Sequence, residues 1–174
     1  LEDYNSVSNA PMNLVMFLDA IEHVSRVCRV IGLPLGNALL LGVGGSGRQS
    51  LTKLAASIED YQLFQIEISK QYGQNEWRDD LKTVLKKAGM DGENVVFLFT
   101  DTQIVKESFL EDINNILNSG EVPNLWGTDD QEQINGAMRP LMQQQGIQQI
   151  TKPAIASFFT NRVPVSYTHL RAHE

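Results

Sequence analysis

A glycine-rich segment that directly follows a short apolar run constrains this chain more than any other feature of its sequence. Residues 42–47 read Gly-Val-Gly-Gly-Ser-Gly and follow the continuous apolar run at residues 38–41. Such a run is typical of a strand that is buried on both faces, as in parallel sheets. Four glycines in six residues are costly unless the backbone turns tightly or approaches another group closely. We therefore predict a buried strand, a glycine loop and then a helix.

The sequence on either side of this loop alternates helical and strand-like patterns. Apolar residues at three- and four-residue spacing predict helices, and alternating or continuous apolar runs predict strands. The predicted helices cover residues 12–30, 49–57, 75–89 and 105–118, with Pro11 in the first turn of the first helix and Asn75 as the cap of the third. A short amphipathic stretch covers residues 154–162. The predicted strands cover residues 38–41, 61–68 and 95–99. This alternation predicts an α/β fold in three layers, a parallel sheet flanked by helices.

Composition places the chain among globular proteins. Its 174 residues are 42% hydrophobic and 20% charged, so we expect one domain with a substantial core. The formal net charge is −7 and the Lys and Arg residues form no dense cluster, so we expect no direct binding to nucleic acid. The apolar stretches are much shorter than the ~20 residues that span a bilayer, and the acidic start Leu1-Glu2-Asp3 is unlike a signal peptide. We therefore expect neither a membrane span nor a secretion signal.

Cys28 is the one cysteine of the sequence, so no disulfide can form within the chain. It falls on the apolar face of the helix predicted at residues 12–30, where we expect a buried structural thiol. A reducing, cytosolic compartment fits this use of cysteine.

The residues after the glycine loop decide what the loop can bind. Backbone N–H groups of a glycine loop approach an anion closely, and the N-terminus of the next helix adds the positive end of its dipole. The segment matches the phosphate-binding pattern G-x-x-x-x-G-K-[ST] at Gly42 and Gly47, but Arg48 replaces the lysine and Gln49 replaces the hydroxyl residue. Arg48 still supplies charge and a planar set of donors, whereas Ser50 lies one residue too late. We expect phosphate binding to persist and magnesium affinity to be weak.

Two other interpretations of the loop stay open. As G-x-G-x-x-G it also fits the dinucleotide-binding fingerprint, with Glu67 near the position where that fold has a ribose-binding acid. This interpretation would make the chain part of an oxidoreductase. The segment is also compatible with a strand-to-helix turn that binds nothing, which so many glycines make the less favoured interpretation.

A single acidic residue follows the third predicted strand. In P-loop ATPases the corresponding strand ends in an Asp that organises magnesium, usually next to a Glu that polarises the attacking water. Here the strand continues as Thr100-Asp101-Thr102. In one register Thr100 occupies the position of the metal-organising Asp, and Asp101 occupies that of the Glu. In the other register Asp101 is the metal-organising residue, and Thr102 occupies the position of the Glu. Each register lacks half of the pair, so we expect nucleotide binding with poor hydrolysis. Alternatively, Asp101 is simply the cap of the next helix.

Four segments together resemble one protein family. They are YNSVSNAPM at residues 4–12, GVGGSGRQS at 42–50, FLFTDTQ at 97–103 and NSGEVPN at 118–124. With these segments in register over residues 4–163, the chain resembles the fourth AAA+ module of axonemal dynein heavy chains, especially those of the inner-arm type. The resemblance implies a P-loop AAA+ fold that is truncated before the later strands and the helical lid.

The resemblance also implies a function for the parent protein. It implies a ring of six modules, of which the first is the main ATPase and the fourth binds ATP or ADP, with or without Mg²⁺, in a regulatory role with little or no turnover. The implied partners are the neighbouring modules of the same heavy chain, dynein intermediate and light chains, and microtubules, which bind through a stalk that follows this module. The implied location is the cytoplasm, cytoskeleton and axoneme of a cilium or flagellum. The alternatives are an active ATPase module and a ring segment that binds no nucleotide.

Roles for individual residues follow from the same resemblance. Phosphate binding is implied for the loop and the start of the helix, which are Gly42, Val43, Gly44, Gly45, Ser46, Gly47, Arg48, Gln49 and Ser50. Gln49 and Ser50 would lie near the metal, and Asp101 would be the acid of the third strand, with a catalytic and a metal-binding role. The departures at Arg48, Gln49 and Thr100 lower the hydrolysis that we expect.

The resemblance ends at Val163. We therefore divide the chain into residues 1–163, the N-terminal portion of a module, and residues 164–174, which look like sequence read through from a cloning adapter. His169 and His173 have the spacing of a helical metal pair but lack a third ligand. In the implied fold another strand lies between the first and third strands, and without it both would expose an unpaired edge, which is costly unless another segment fills the gap. We therefore expect the isolated chain to be unstable.

Overall fold

The computed structural model describes residues 1–8, 10–33 and 36–163, and the backbone of residues 166–172. The described chain divides into two compact units. The sheet unit comprises residues 1–67, 94–103 and 166–172, and the helical unit comprises residues 68–93 and 104–163. The glycine loop and the acid after the third strand both belong to the sheet unit.

The described residues form strands and helices in the alternating order that the sequence predicts. In the sheet unit they are α1 (Glu2–Val7), α2 (Leu18–Ile31), β1 (Ala38–Gly42), α3 (Arg48–Ile58), β2 (Gln62–Gln65), β3 (Val95–Thr100) and β4 (Ser166–Ala172). In the helical unit they are α4 (Gln74–Lys86), α5 (Glu107–Ser119), α6 (Thr128–Gln144) and α7 (Lys152–Asn161). A π-helical turn at Lys87–Asp91 follows α4, and a 3-10 turn at Asp101–Gln103 follows β3. The predicted α/β fold, a parallel sheet flanked by helices, is confirmed.

The four strands run parallel in the order β1-β4-β3-β2. β4 lies between β1 and β3, with Phe99 of β3 opposite His169. The pairing of β2 with β3 ends where Gln65 lies opposite Leu98. Parallel strands cannot be joined by tight hairpins, and α3 belongs to the crossover from β1 to β2, which lie at opposite edges of the described sheet.

The core of the sheet unit is built around β3, whose six residues are all buried. α2 and α3 pack on each other and on β3 through the residues Val24, Val27, Cys28, Ile31, Leu54, Ala55, Ala56 and Val96. Burying a Val, Leu or Ile side chain here contributes about 1.5–3 kcal/mol. Cys28 is buried as predicted, with Sγ 3.9 Å from the carbonyl oxygen of Ala55, and burial raises the pKa of its thiol. Its environment is that of a structural thiol.

β1 is buried on one face only, which corrects the prediction of a strand buried on both. Leu40 packs against the core, whereas Leu39 and Leu41 are 60% and 53% exposed. Successive side chains of a strand point to opposite faces, and β1 is the edge strand of the described sheet. A continuous apolar run therefore does not reveal how many faces of a strand are covered.

α2 begins at Leu18, not at Met12 as predicted, and Pro11 lies outside its first turn. Asn5 explains the difference, because its side-chain amide binds both backbone groups of Met12. Nδ2 donates to the carbonyl oxygen of Met12 at 2.9 Å, and Oδ1 accepts the N–H of Met12 at 2.8 Å. These bonds compete with helix formation at this position.

The expected gap between the first and third strands is filled, since β4 pairs with both β1 and β3. Another segment thus fills the gap, so the described edges of β1 and β3 that face it are paired, and the reason given for an unstable chain does not apply. The physical reason is that the backbone of residues 166–172 supplies donors and acceptors on both sides, as a central strand must. The adapter origin that we infer for residues 164–174 stays a prediction, and His173 lies outside the described residues.

The helical unit has an aromatic core between α4 and α5. Trp77 is fully buried and stacks on Phe109 with the ring centroids 4.5 Å apart. α4 begins at Gln74, after Gly73, so the predicted cap at Asn75 is wrong by two residues. None of the described helices is both long and apolar enough to cross a membrane.

Candidate functional site

The glycine loop joins β1 to α3, which begins at Arg48. Gly45 and Gly47 have φ angles of 74° and 76°, in the left-handed region that favours glycine. Within the loop, the N–H of Ser46 donates to the carbonyl oxygen of Val43 at 3.3 Å. The predicted order of strand, loop and helix is confirmed, and the loop conformation accounts for two of the four glycines.

The N-terminus of α3 carries the features of an anion site. The first N–H groups of a helix have no acceptor within the helix. In α3 the N–H of Leu51 donates to the cap residue Gly47 at 2.9 Å, so the N–H groups of residues 48–50 precede this first bond. The first turn contains no acidic residue that would offset the positive end of the helix dipole. An anionic group is therefore stabilised at this end of the helix.

Arg48 lies with its guanidinium against the end of β1. Nη2 donates to the carbonyl oxygen of Val43 at 3.0 Å, and Nη1 donates to that of Leu40 at 3.3 Å. The side chain is thus bound both to β1 and to the glycine loop. A permanent positive charge is held beside the loop.

The opposite side of the site is formed by the turn that follows β3. Thr100 is the last residue of the strand and is 3% exposed, and its hydroxyl lies 2.9 Å from that of Thr102. Asp101 accepts the N–H of Thr102 on Oδ1 at 3.0 Å. Asp101 is therefore the first residue of a 3-10 turn and not the cap of α5, which starts at Glu107.

The loop, the start of α3 and the turn after β3 enclose a cavity of about 430 Å³. Its lining residues are Gly44, Gly45, Ser46, Gly47, Arg48, Gln49, Ser50, Thr100, Asp101 and Thr102. Most of the predicted site residues are thus brought together, including Asp101, which is far from the loop in sequence. Gly42 and Val43 do not line the cavity, and Val43 is 66% exposed.

Gln103 is a structural element of this site that the sequence did not reveal. It is 6% exposed, and its side-chain amide lies between the ends of β2 and β3. Oε1 accepts the N–H of Thr100 at 2.8 Å, and Nε2 donates to the carbonyl oxygen of Ile66 at 2.6 Å. An amide after a strand-end acid is a weak signal in sequence, since its partner Ile66 is 37 positions away.

The oxygen donors of the cavity do not match a magnesium site. Magnesium requires a nearly octahedral set of oxygen ligands, and phosphate loops supply one from a hydroxyl at the start of the helix. Gln49 occupies that position, and Asp101 is the one carboxylate among the lining residues. In the part of the chain that the structure describes, no three His, Cys, Asp or Glu side chains group closely enough to hold a metal ion.

The strand order contradicts the dinucleotide-binding interpretation of the loop. In that fold β1 and β2 are neighbours, whereas here β4 and β3 separate them. Glu67, the proposed ribose-binding acid, is exposed and does not line the cavity. The glycine fingerprint is therefore shared, but the sheet around it is not that of a dinucleotide-binding domain.

A parallel sheet in this order, with the glycine loop after β1 and an acid after β3, defines a P-loop protein of the AAA+ type. A family model described as "P-loop containing dynein motor region D4" matches residues 12–167. The chain belongs to this family, which confirms the resemblance found in its sequence.

Several curated relatives are similar over most of the chain. Dynein axonemal heavy chain 1 of Homo sapiens is 56% identical over 163 residues, which are 94% of this chain and 4% of that protein. Dynein axonemal heavy chain 1 of Rattus norvegicus is 55% identical over the same share of each chain. Dynein axonemal heavy chain 6 of Homo sapiens is 52% identical over 163 residues, again 94% of this chain and 4% of the relative. The chain therefore spans a small part of the length of the proteins that it matches.

Proposed function

We propose that this chain is a regulatory nucleotide-binding module of a dynein motor and that it binds ATP or ADP with little or no hydrolysis. The observation that carries the proposal is the cavity in which the glycine loop, Arg48 and Asp101 come together. The nucleotide phosphates would lie against the loop and the N-terminus of α3, where backbone N–H groups and the helix dipole stabilise negative charge.

Two features of the cavity support weak hydrolysis. Asp101 is the one carboxylate among the described residues that line it, whereas P-loop hydrolysis uses one acid to organise the metal and a second group to polarise water. Thr100 and Thr102 flank Asp101 in the chain and carry hydroxyls, which do not serve as general bases at neutral pH. In this proposal the described lining residues bind and orient phosphate, and they include no second acid.

This module would act as one part of a longer parent protein. In this proposal the parent protein is an axonemal dynein heavy chain, like the relatives named above, and acts as a motor that moves along microtubules and drives ciliary or flagellar movement. The neighbouring AAA+ modules of the same chain are its closest partners in this proposal, and dynein intermediate and light chains bind elsewhere. Binding of a nucleotide at this site would regulate the activity of the motor. The motor itself would be located in the axoneme.

The proposal is tested by displacement of a fluorescent ADP analogue from the 174-residue chain, together with a phosphate-release assay. Arg48→Ala is expected to weaken ADP binding about 10- to 100-fold, since a hydrogen bond to a charged group contributes about 1.5–3 kcal/mol. The matched control is Arg29→Ala, which removes an exposed arginine of α2 from the same unit. Equal affinities of Arg48→Ala and Arg29→Ala would contradict the proposed site, and phosphate release at the rate of an active ATPase would contradict the regulatory role.

A further inference from the structure

We propose that Gln103 is a positioning residue of this nucleotide site, and that it sets the place of Asp101 and Thr102 opposite the glycine loop. The inference rests on the proposed function. Gln103 does not line the cavity itself, so it would act through the turn that does.

The pairing of β2 with β3 stops short of the cavity. Its last pair is Gln65 opposite Leu98, while β3 continues to Thr100. Beyond this pair, the side chain of Gln103 makes the connection between the two strands. Its Nε2 donates to Ile66, the residue after Gln65, at 2.6 Å. The amide thus extends the link between the strands up to the edge of the site.

The side-chain amide of Gln103 also binds the beginning of the turn that carries Asp101. Its Oε1 accepts the N–H of Thr100 at 2.8 Å, so a side chain at the end of the turn is bound to the backbone at its beginning. Asp101 and Thr102 lie between these two points. Their positions opposite the loop therefore depend on Gln103, and through it on the end of β2.

The chemistry of the position is specific to an amide of this length. Gln103 uses a donor and an acceptor at once, since it donates to the carbonyl oxygen of Ile66 and accepts the N–H of Thr100. An ionised carboxylate offers acceptors only, so Glu at this position would face the carbonyl oxygen of Ile66 without a proton between them. A protonated Glu would restore both bonds. Methionine has a similar length and restores neither.

The test measures ADP affinity of the 174-residue chain by titration calorimetry, well below the melting temperature of each variant, from about pH 5 to pH 9. Gln103→Met is expected to weaken ADP binding at least about tenfold at every pH. Gln103→Glu is expected to bind nearly as the wild type does at low pH and progressively more weakly as its carboxyl ionises. Because burial raises the pKa of a carboxyl, this transition is expected well above the ordinary value of about 4.3. Gln62→Glu, on the exposed side of β2, is the matched control.

The possible outcomes separate positioning from stability and from the proposed function. If folded Gln103→Met and Gln103→Glu bind ADP within about twofold of the wild type at every pH, while their melting temperatures fall, Gln103 is structural only and the inference is overturned. If Gln103→Met does not fold, the ADP affinity of Gln103→Glu relative to the wild type is the deciding measurement. A relative affinity that falls as the pH rises supports positioning by Gln103, and a relative affinity that does not change with pH overturns it. If the wild type itself binds no nucleotide, the proposed function fails and this inference fails with it.

Discussion

The indole N–H of Trp77 donates to Oδ2 of Asp112 at 2.9 Å, which joins α4 to α5 inside the helical unit. Both side chains are buried, and Gln74 is a second, longer donor to the same oxygen at 3.4 Å. A buried carboxylate depends on such donors, because water cannot replace them.

Removing the indole donor is therefore expected to destabilise the helical unit. Trp77→Phe keeps an aromatic ring against Phe109 but leaves Asp112 with the weaker donor, and we expect a loss of about 2–4 kcal/mol in urea unfolding. The double variant Trp77→Phe with Asp112→Leu is the control, since it removes both partners. A double variant that is less stable than Trp77→Phe alone would show that the carboxylate has a favourable role apart from the indole.

The pH dependence of stability is expected to contain a contribution from Asp130. Hydrogen bonds from Lys86 at 2.6 Å and from Lys82 at 2.9 Å lower the pKa of Asp130 from 3.8 to about 2. A carboxyl whose pKa is lower in the folded state stabilises the fold above its unfolded pKa, and this stabilisation is lost as pH falls through the folded value. We expect about 1–2 kcal/mol, present above about pH 4 and gone near pH 2, since the side chain is largely shielded from solvent.

Comparison of the wild type with Asp130→Asn isolates this effect from the other carboxyls. The difference in free energy of unfolding is expected to be largest near neutral pH and to shrink below about pH 4. A difference that stays constant from about pH 6 to pH 2 would show that Asp130 acts through its shape and not through its charge.

Gly89 is expected to tolerate no side chain. A Cβ at this position would overlap Cε2 of Phe159, where α7 packs on the π-helical turn. Gly89→Ala should therefore cost about 1–3 kcal/mol in thermal or urea unfolding. Gly136→Ala is the matched control, because Gly136 is exposed within α6 and nothing lies within 4 Å of the added methyl group. It should stabilise the chain by up to about 1 kcal/mol, and a loss of stability there would contradict the account.

Nucleotide binding is expected to depend little on magnesium, because Gln49 stands where a hydroxyl would bind the ion. The affinity for ATP should change by less than about threefold between magnesium and a chelator. Gln49→Thr restores the hydroxyl at the start of α3 and should make binding stronger with magnesium than without it. A large magnesium effect in the wild type, unchanged in Gln49→Thr, would show that the metal is held by other groups.

Local patterns were sufficient to predict the first three strands, the glycine loop and the helix that follows it. The glycine loop could be recognised because the left-handed backbone conformation of Gly45 and Gly47 favours glycine, and a group of glycines is visible in the sequence. The convergence of the loop with Asp101 could also be anticipated, because the carboxyl ends of parallel strands meet at one edge of a sheet.

Features that depend on distant residues could not be predicted in this way. The late start of α2 depends on the bonds of Asn5 to Met12, and the role of Gln103 depends on Ile66. The exposure of Leu39 depends on how many layers cover β1, which an apolar run does not show. The filling of the sheet by residues 166–172 was missed because that segment lacks the apolar pattern of a central strand.

Direct titration of the 174-residue chain with ADP, ATP and NAD tests the central claim most directly. The account predicts micromolar binding of ADP and ATP, no binding of NAD, and no heat of continuing turnover after the ATP titration. Binding of NAD alone would contradict the P-loop assignment in favour of a dinucleotide site. Binding of none of the three would contradict the regulatory nucleotide module and leave a structural segment of the ring.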